Sequence, residues 1–150
     1  MEILPKMRMA DLSLYFDSIL VIADVHIGYE EVLNKKGILV PRTQFEDMAR
    51  RLEKIFVRLK NRKIERIIIN GDLKHEFGAI SEQEWRNTLK FLDLLAGHCK
   101  EIVLIKGNHD TILGPIAKKR NVKIMDNLMV GNVLIAHGDK IPGKEALKKT

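Results

Sequence analysis

Three side chains capable of chemistry stand on successive residues: Asn108 offers a neutral oxygen, His109 an imidazole and Asp110 a carboxylate. Gly107 precedes them and lets the backbone turn sharply. A plain turn seldom needs all three groups. Two earlier stretches and one later stretch repeat the arrangement. Asp24 and His26 are spaced i, i+2, Asp72 follows Gly71, and His137 precedes Gly138 and Asp139. Carboxylate, amide and imidazole together are typical ligands for hard or borderline divalent metals. A carboxylate such as that of Asp72 has two oxygens and can bridge two cations.

Each of these stretches follows an apolar run of strand length: Leu20 to Ala23, Ile67 to Ile69, Ile102 to Ile105 and Val133 to Ala136. Ligand sites of open α/β sheets lie at the C-terminal ends of strands. Strand ends gathered on one sheet edge cluster the four motifs in space. On a strand, positions i and i+2 share a face, so Asp24 and His26 point the same way as a chelating pair.

The remaining elements follow from pattern. Leu14 to Phe16 and Ile19 to Ala23, separated by Asp17-Ser18, read as a hairpin. Ile27 to Lys36 reads as a short helix stopped by Gly37. A long helix runs from about Thr43 to Asn61, where Thr43 with Glu46 fits a capping box. Its stripe of Phe45, Met48, Leu52, Ile55, Phe56 and Leu59 is core packing. Ile64 to Asn70 reads as a central parallel strand. Ser81 with Glu84 fits a second capping box, opening a helix that runs to Gly97, with His98 and Cys99 structural at its close. Thr111 to Arg120 is a short helix or loop, and three short strands follow over 122–125, 128–130 and 133–136. Residues 1–13 show no clear pattern.

A chain of 150 residues is the size of one ordinary domain. Its hydrophobic fraction of 45% and charged fraction of 31% are those of a globular protein. No apolar run approaches the ~20 residues of a membrane span, and the first residues lack a secretory signal's apolar core. The lone Cys99 excludes an internal disulfide. A cytoplasmic location fits these features. The net charge of +6 suits a phosphate-rich partner, and equally a solvated basic surface.

The four motifs, in order Asp-x-His (24–26), Gly-Asp (71–72), Gly-Asn-His-Asp (107–110) and His-Gly (137–138), resemble those of the calcineurin-like metallophosphoesterases. The stretches 22–30 and 71–78 resemble more narrowly the archaeal phosphoesterases related to the SbcD nuclease. The resemblance implies an α/β fold, the calcineurin-like αββα sandwich with mixed sheets. It implies two divalent metal ions, with manganese expected and magnesium, iron, nickel or zinc as alternatives. By the same resemblance, Asp24 and His26 hold the first metal, Asp72 bridges, and Asn108 and His137 hold the second. His109 is the general acid or a transition-state donor, and Asp110 orients and tunes it. His75 belongs near the pocket without being a ligand.

Family members carry a further Gly-His-x-His after the late His. The five His here are 26, 75, 98, 109 and 137, so that motif is absent and the domain, 1–150, is expected to be short at its C-terminal end. A sheet strand goes with the missing segment, which predicts an exposed edge and a homo-oligomer. The expected function is metal-dependent hydrolysis of a phosphodiester or phosphomonoester by activated water, with a phosphorylated substrate. Nucleic acid is a narrower option, and no membrane partner is expected. The alternative is a non-catalytic or truncated metal- or phosphate-binding remnant of such an enzyme.

Overall fold

The computed structural model of the chain describes residues 2–75, 80–110 and 113–140. Seven strands form one sheet in the order β1-β2-β3-β4-β5-β6-β7. They are Glu2–Leu4, Met7–Ala10, Ser13–Phe16, Ile19–Ala23, Arg66–Asn70, Glu101–Ile105 and Lys123–Met125. The first four make an antiparallel meander, and β4, β5, β6 and β7 run parallel. Helices cover the parallel crossovers: α1 (Tyr29–Lys35) and α2 (Gln44–Arg58) between β4 and β5, α3 (Glu82–Ala96) before β6, α4 (Gly114–Lys119) before β7. Strands β8 (Leu128–Val130) and β9 (Val133–Ile135) form a separate two-stranded sheet.

Side-chain alternation assigns the two faces of the large sheet. Leu20, Ile22, Ile67, Ile69, Ile102 and Leu104 pack with Leu52, Ile55, Phe91, Leu92 and Ile116 of the helices. Ile19, Val21, Ile68, Val103 and Ile105 face the other way and pack with Ile135, Leu128 and Val133 of the small sheet. The central strands are therefore apolar on both faces, which is why they read as unbroken Ile/Val/Leu runs. The layers of the described residues are helix, sheet and sheet, three of the four layers of the expected αββα sandwich.

Several local expectations are met. The hairpin turn at Asp17-Ser18 places both residues at positive φ (45° and 62°), the mirror-image turn that matches strand twist. Ser81 caps α3, its Oγ accepting the Glu84 N–H at 3.1 Å. His98 stacks on Phe56, with ring centroids 3.7 Å apart. Cys99 packs beneath the helix end, where its Sγ–H donates to the Leu95 carbonyl. Burial pushes its thiol above the ordinary value. The native protein is therefore expected to react with iodoacetamide well below the rate of an exposed thiol at neutral pH, and unfolding in urea restores the rate. Equal rates before and after unfolding contradict this.

Other expectations are corrected. Residues 1–13 hold two strands, β1 and β2, which extend the meander at the sheet edge. Thr43 makes no side-chain cap on α2. Glu30, from the preceding helix, accepts the N–H groups of Thr43 (2.9 Å) and Gln44 (2.6 Å) instead. A carboxylate does the capping better, because it also meets the positive end of the helix dipole. The 126–127 turn does not close a hairpin: it carries the chain from β7 in one sheet to β8 in the other. Thr111, the expected start of α4, and the residues after Lys140 lie outside the described residues.

Candidate metal centre

Register decides where the motifs meet. Ala23 pairs with Asn70, and Asn70 with Ile105, so three parallel strands end level. Asp24, Gly71-Asp72 and Gly107-Asn108 leave those ends side by side. The first two loops are then zipped together by backbone bonds: His26 N–H to the Asp72 carbonyl (2.8 Å), Ile27 N–H to Leu73 (2.9 Å) and His75 N–H to Ile27 (2.9 Å). His137 comes from the far side, just after β9. It reaches the same edge because the Asn70 amide donates to the Ala136 carbonyl at 3.1 Å.

The loops are held tightly. Asp24, His26 and Asp72 all adopt left-handed backbone angles, with φ of 51°, 50° and 48°. Such residues cost of order 1–3 kcal/mol each and gather at functional sites. This differs from the expected chelating geometry: β4 ends at Ala23, and the two side chains converge through left-handed turns rather than strand alternation. A Cβ on Gly107 would lie 2.2 Å from Asp72 Oδ1, and one on Gly71 would lie 2.0 Å from His137 Nδ1. Glycine at both positions lets the loops approach to contact.

Asp72 lies at the centre and is buried. Its Oδ1 accepts the His109 N–H at 3.1 Å. Its Oδ2 faces three imidazole nitrogens: His137 Nε2 at 3.5 Å, His26 Nε2 at 3.7 Å and His109 Nε2 at 4.0 Å. Asp24 Oδ1 lies 3.9 Å from His137 Nδ1. One ligand atom each from Asp24, His26 and Asp72 lie within 4.8 Å of one another. Asn108 Oδ1 stands 3.3 Å from His137 Nε2. All five residues expected to hold metal are thus brought together.

The donor atoms of these loops converge at one edge of the sheet. His137 Nδ1 is 3.2 Å from the Asn70 carbonyl, which takes its N–H. Its Nε2 lies 3.5 Å from Asp72 Oδ2 and 3.3 Å from Asn108 Oδ1. Imidazole nitrogens, carboxylate oxygens and an amide oxygen converging at these distances fit a divalent ion. These residues therefore suit the group that the donor chemistry implies.

His109 and Asp110 divide differently from expectation. His109 Nδ1 donates to the His75 carbonyl, which leaves Nε2 as the nitrogen facing Asp72. Asp110 is buried and its carboxylate accepts backbone N–H groups: Leu73 at 3.0 Å and Lys74 at 3.5 Å on Oδ1, Gly107 at 3.0 Å on Oδ2. In this geometry the imidazole is steered by a carbonyl, and Asp110 ties the second motif loop to the third. Burial pushes the Asp110 carboxyl above its ordinary value, against the pull of those amides.

Asp110→Asn is expected to lower stability by about 1–3 kcal/mol at neutral pH, because an amide NH₂ must face one of these N–H donors. A carboxyl with a raised folded pKa binds its proton more tightly folded than unfolded. Its contribution therefore favours folding below the ordinary value of 3.8 and declines as pH rises through the folded value. Urea denaturation of both proteins across the acid range checks this, and a variant as stable as wild type contradicts it.

Sequence reasoning placed His75 near the pocket, and the structure seats it against two site residues. Its Nδ1 is 3.4 Å from His26 Nδ1, and its ring stacks on His109 with centroids 5.4 Å apart. The Tyr29 ring meets it edge-on at 4.7 Å. Burial first, then His26 and His109, hold its imidazole below the usual range. The His three residues after Asp72 was the available signal.

Comparisons with known proteins bear on the family and the fold. The family profile described as calcineurin-like phosphoesterase matches residues 18–149. The chain belongs to that family. Among solved structures it is similar to the Pseudomonas putida nuclease MPE, with TM-score 0.58 and 25% identity over 81% of this chain and 55% of that one. It is also similar to an Aquifex aeolicus protein of unknown function, AQ665, with TM-score 0.41 and 17% identity over 77% of this chain and 56% of that one. The chain spans about half the length of each. No curated protein matches it. Among the described residues, no helix is long and apolar enough to cross a membrane.

Proposed function

We propose that the chain hydrolyses a phosphodiester or phosphomonoester at a two-metal centre built on Asp72. The observation that carries this is the convergence of ligand atoms of Asp24, His26 and Asp72 within 4.8 Å of one another, with His137 Nε2 3.5 Å from Asp72 Oδ2 and 3.3 Å from Asn108 Oδ1. Asp24 and His26 would hold one ion with Asp72, and Asn108 and His137 the other. Three oxygen-bearing ligands favour manganese or magnesium, and the imidazoles extend the choice to iron, nickel or zinc. When bound, such ions supply charge for the phosphoryl oxygens and a water-derived nucleophile near neutral pH.

The chain's own residues do the rest. Asp72 draws the two halves of the site together and, through Oδ1, positions the His109 backbone. His109, with Nδ1–H fixed on the His75 carbonyl, holds a second proton at Nε2 when charged. That proton goes to the leaving oxygen. Asp110 acts as a positioning residue by locking the two loops in register. A nucleic-acid phosphodiester is the narrower substrate reading. The likeness to a nuclease supports it.

Hydrolysis of bis-p-nitrophenyl phosphate and p-nitrophenyl phosphate, with manganese and without, tests the proposal. Manganese-dependent turnover is expected, falling by about 10²–10⁴-fold in His109→Ala. A folded, manganese-loaded protein that turns over neither ester is instead the non-catalytic binding module.

A further inference from the structure

We propose that the groove beside Asp24 is a nucleoside subsite, with Tyr29 as the platform on which the base next to the scissile phosphate stacks. The proposal rests on the hydrolase reading and narrows its substrate to the phosphodiester of a single-stranded nucleic acid. A groove of about 900 Å³ adjoins the metal centre, and Asp24 is part of its wall. Register places it there. Ser13 pairs with Ile22, so the β2–β3 turn at Asp11-Leu12 stands beside the end of β4. That turn forms one wall and α2 the other, and Arg51 Nε reaches Asp11 Oδ2 between them at 3.3 Å. Ile22, Leu52 and Phe91 make an apolar floor. An apolar floor under a polar rim suits the face of a base and the edge of a sugar.

Tyr29 stands where the groove meets the centre. It lines the groove with Asp24, while its N–H donates to the His26 carbonyl at 3.3 Å. Its ring meets that of His75 edge-on, with centroids 4.7 Å apart. The residue is nonetheless 46% exposed. A ring already held by its neighbours loses little freedom when a base stacks on it, and every base has a face to offer. Charge favours the same occupant. Of the cations that α2 brings to the groove, Arg50 and Arg51 pair with Asp47 and Asp11. Lys54 has no acidic partner among the described residues and is left to meet a flanking phosphate.

The test compares two esters with one leaving group, p-nitrophenyl thymidine 5′-phosphate and methyl p-nitrophenyl phosphate, on the whole chain with manganese. Wild type is expected to favour the nucleoside ester in kcat/KM by about 10-fold or more. Tyr29→Leu is expected to remove most of that preference, chiefly through KM, and Tyr29→Trp to retain it. Fluorescence anisotropy of a labelled oligothymidylate, without added metal, reads binding apart from turnover. Tyr29→Leu is expected to weaken binding by about 10-fold, and Lys54→Gln to reduce its salt dependence by the equivalent of about one phosphate contact. Circular dichroism confirms folding, and the exposed Lys54 gives a second variant beside Tyr29. No preference in wild type, or a preference and oligothymidylate affinity unchanged in folded Tyr29→Leu, overturns the subsite and leaves the hydrolase reading standing. Turnover of neither ester, with Tyr29-dependent oligothymidylate binding intact, overturns the hydrolase reading and supports the subsite.

Discussion

Asp72→Asn is expected to reduce metal-dependent hydrolysis by more than about 100-fold while leaving the fold intact. The substitution keeps the shape and the Oδ1 acceptor that holds the His109 N–H at 3.1 Å. It replaces Oδ2, the oxygen facing His137, His26 and His109, with an uncharged NH₂ group. Ligand lone pairs and the central negative charge are lost together. Groups that merely orient metal ligands are worth about 10–100-fold in affinity or activity, so a residue at the junction of both ligand sets is worth at least the upper end. Calorimetric titration with manganese, beside the turnover assay, checks both halves. A variant that binds manganese as tightly as wild type removes Asp72 from the centre.

Gly107→Ala is expected to be nearly as damaging by a different route. The added Cβ would lie 2.2 Å from Asp72 Oδ1 and 2.4 Å from the Asp72 backbone nitrogen. The carboxylate could rotate, but the backbone atom cannot, so one of the two loops must move. That movement disturbs the Gly107 N–H to Asp110 bond and carries Asn108 and His109 with it. Overpacking of this kind costs about 1–3 kcal/mol. A displacement near 1 Å in a catalytic constellation costs on the order of 10²-fold in rate. Thermal unfolding and turnover should fall together. Gly114→Ala is the matched control, since a Cβ there meets nothing within 4 Å. Equal effects in the two variants contradict the contact argument.

What could be read from the chain depended on how local the cause was. The parallel strands were legible because burial on both faces writes an unbroken apolar run, as in Ile67-Ile68-Ile69. The five metal-binding candidates were legible because each sits within two or three residues of a run's end. Their convergence needed the level ends of β4, β5 and β6, a matter of register that no single segment encodes. The Glu30 cap on α2 was hidden for the same reason: the carboxylate lies 13 residues before Thr43, while the nearby Thr43–Glu46 pattern pointed elsewhere. Strands β1 and β2 escaped notice because edge strands alternate weakly, and β1 is exposed throughout. The Asp110 partners, Leu73 and Lys74, lie 37 and 36 residues away. The family resemblance pairs Asp110 with His109; the fold gives that imidazole the His75 carbonyl instead.

The central claim is that four loops build one divalent-metal centre around Asp72. Anomalous diffraction at the manganese edge, from crystals grown with manganese, tests it most directly. The account predicts peaks within about 2.0–2.2 Å of Asp72 carboxylate oxygens, flanked by His26 and His137 nitrogens. Manganese bound elsewhere on the protein, with no peak beside Asp72, would contradict it.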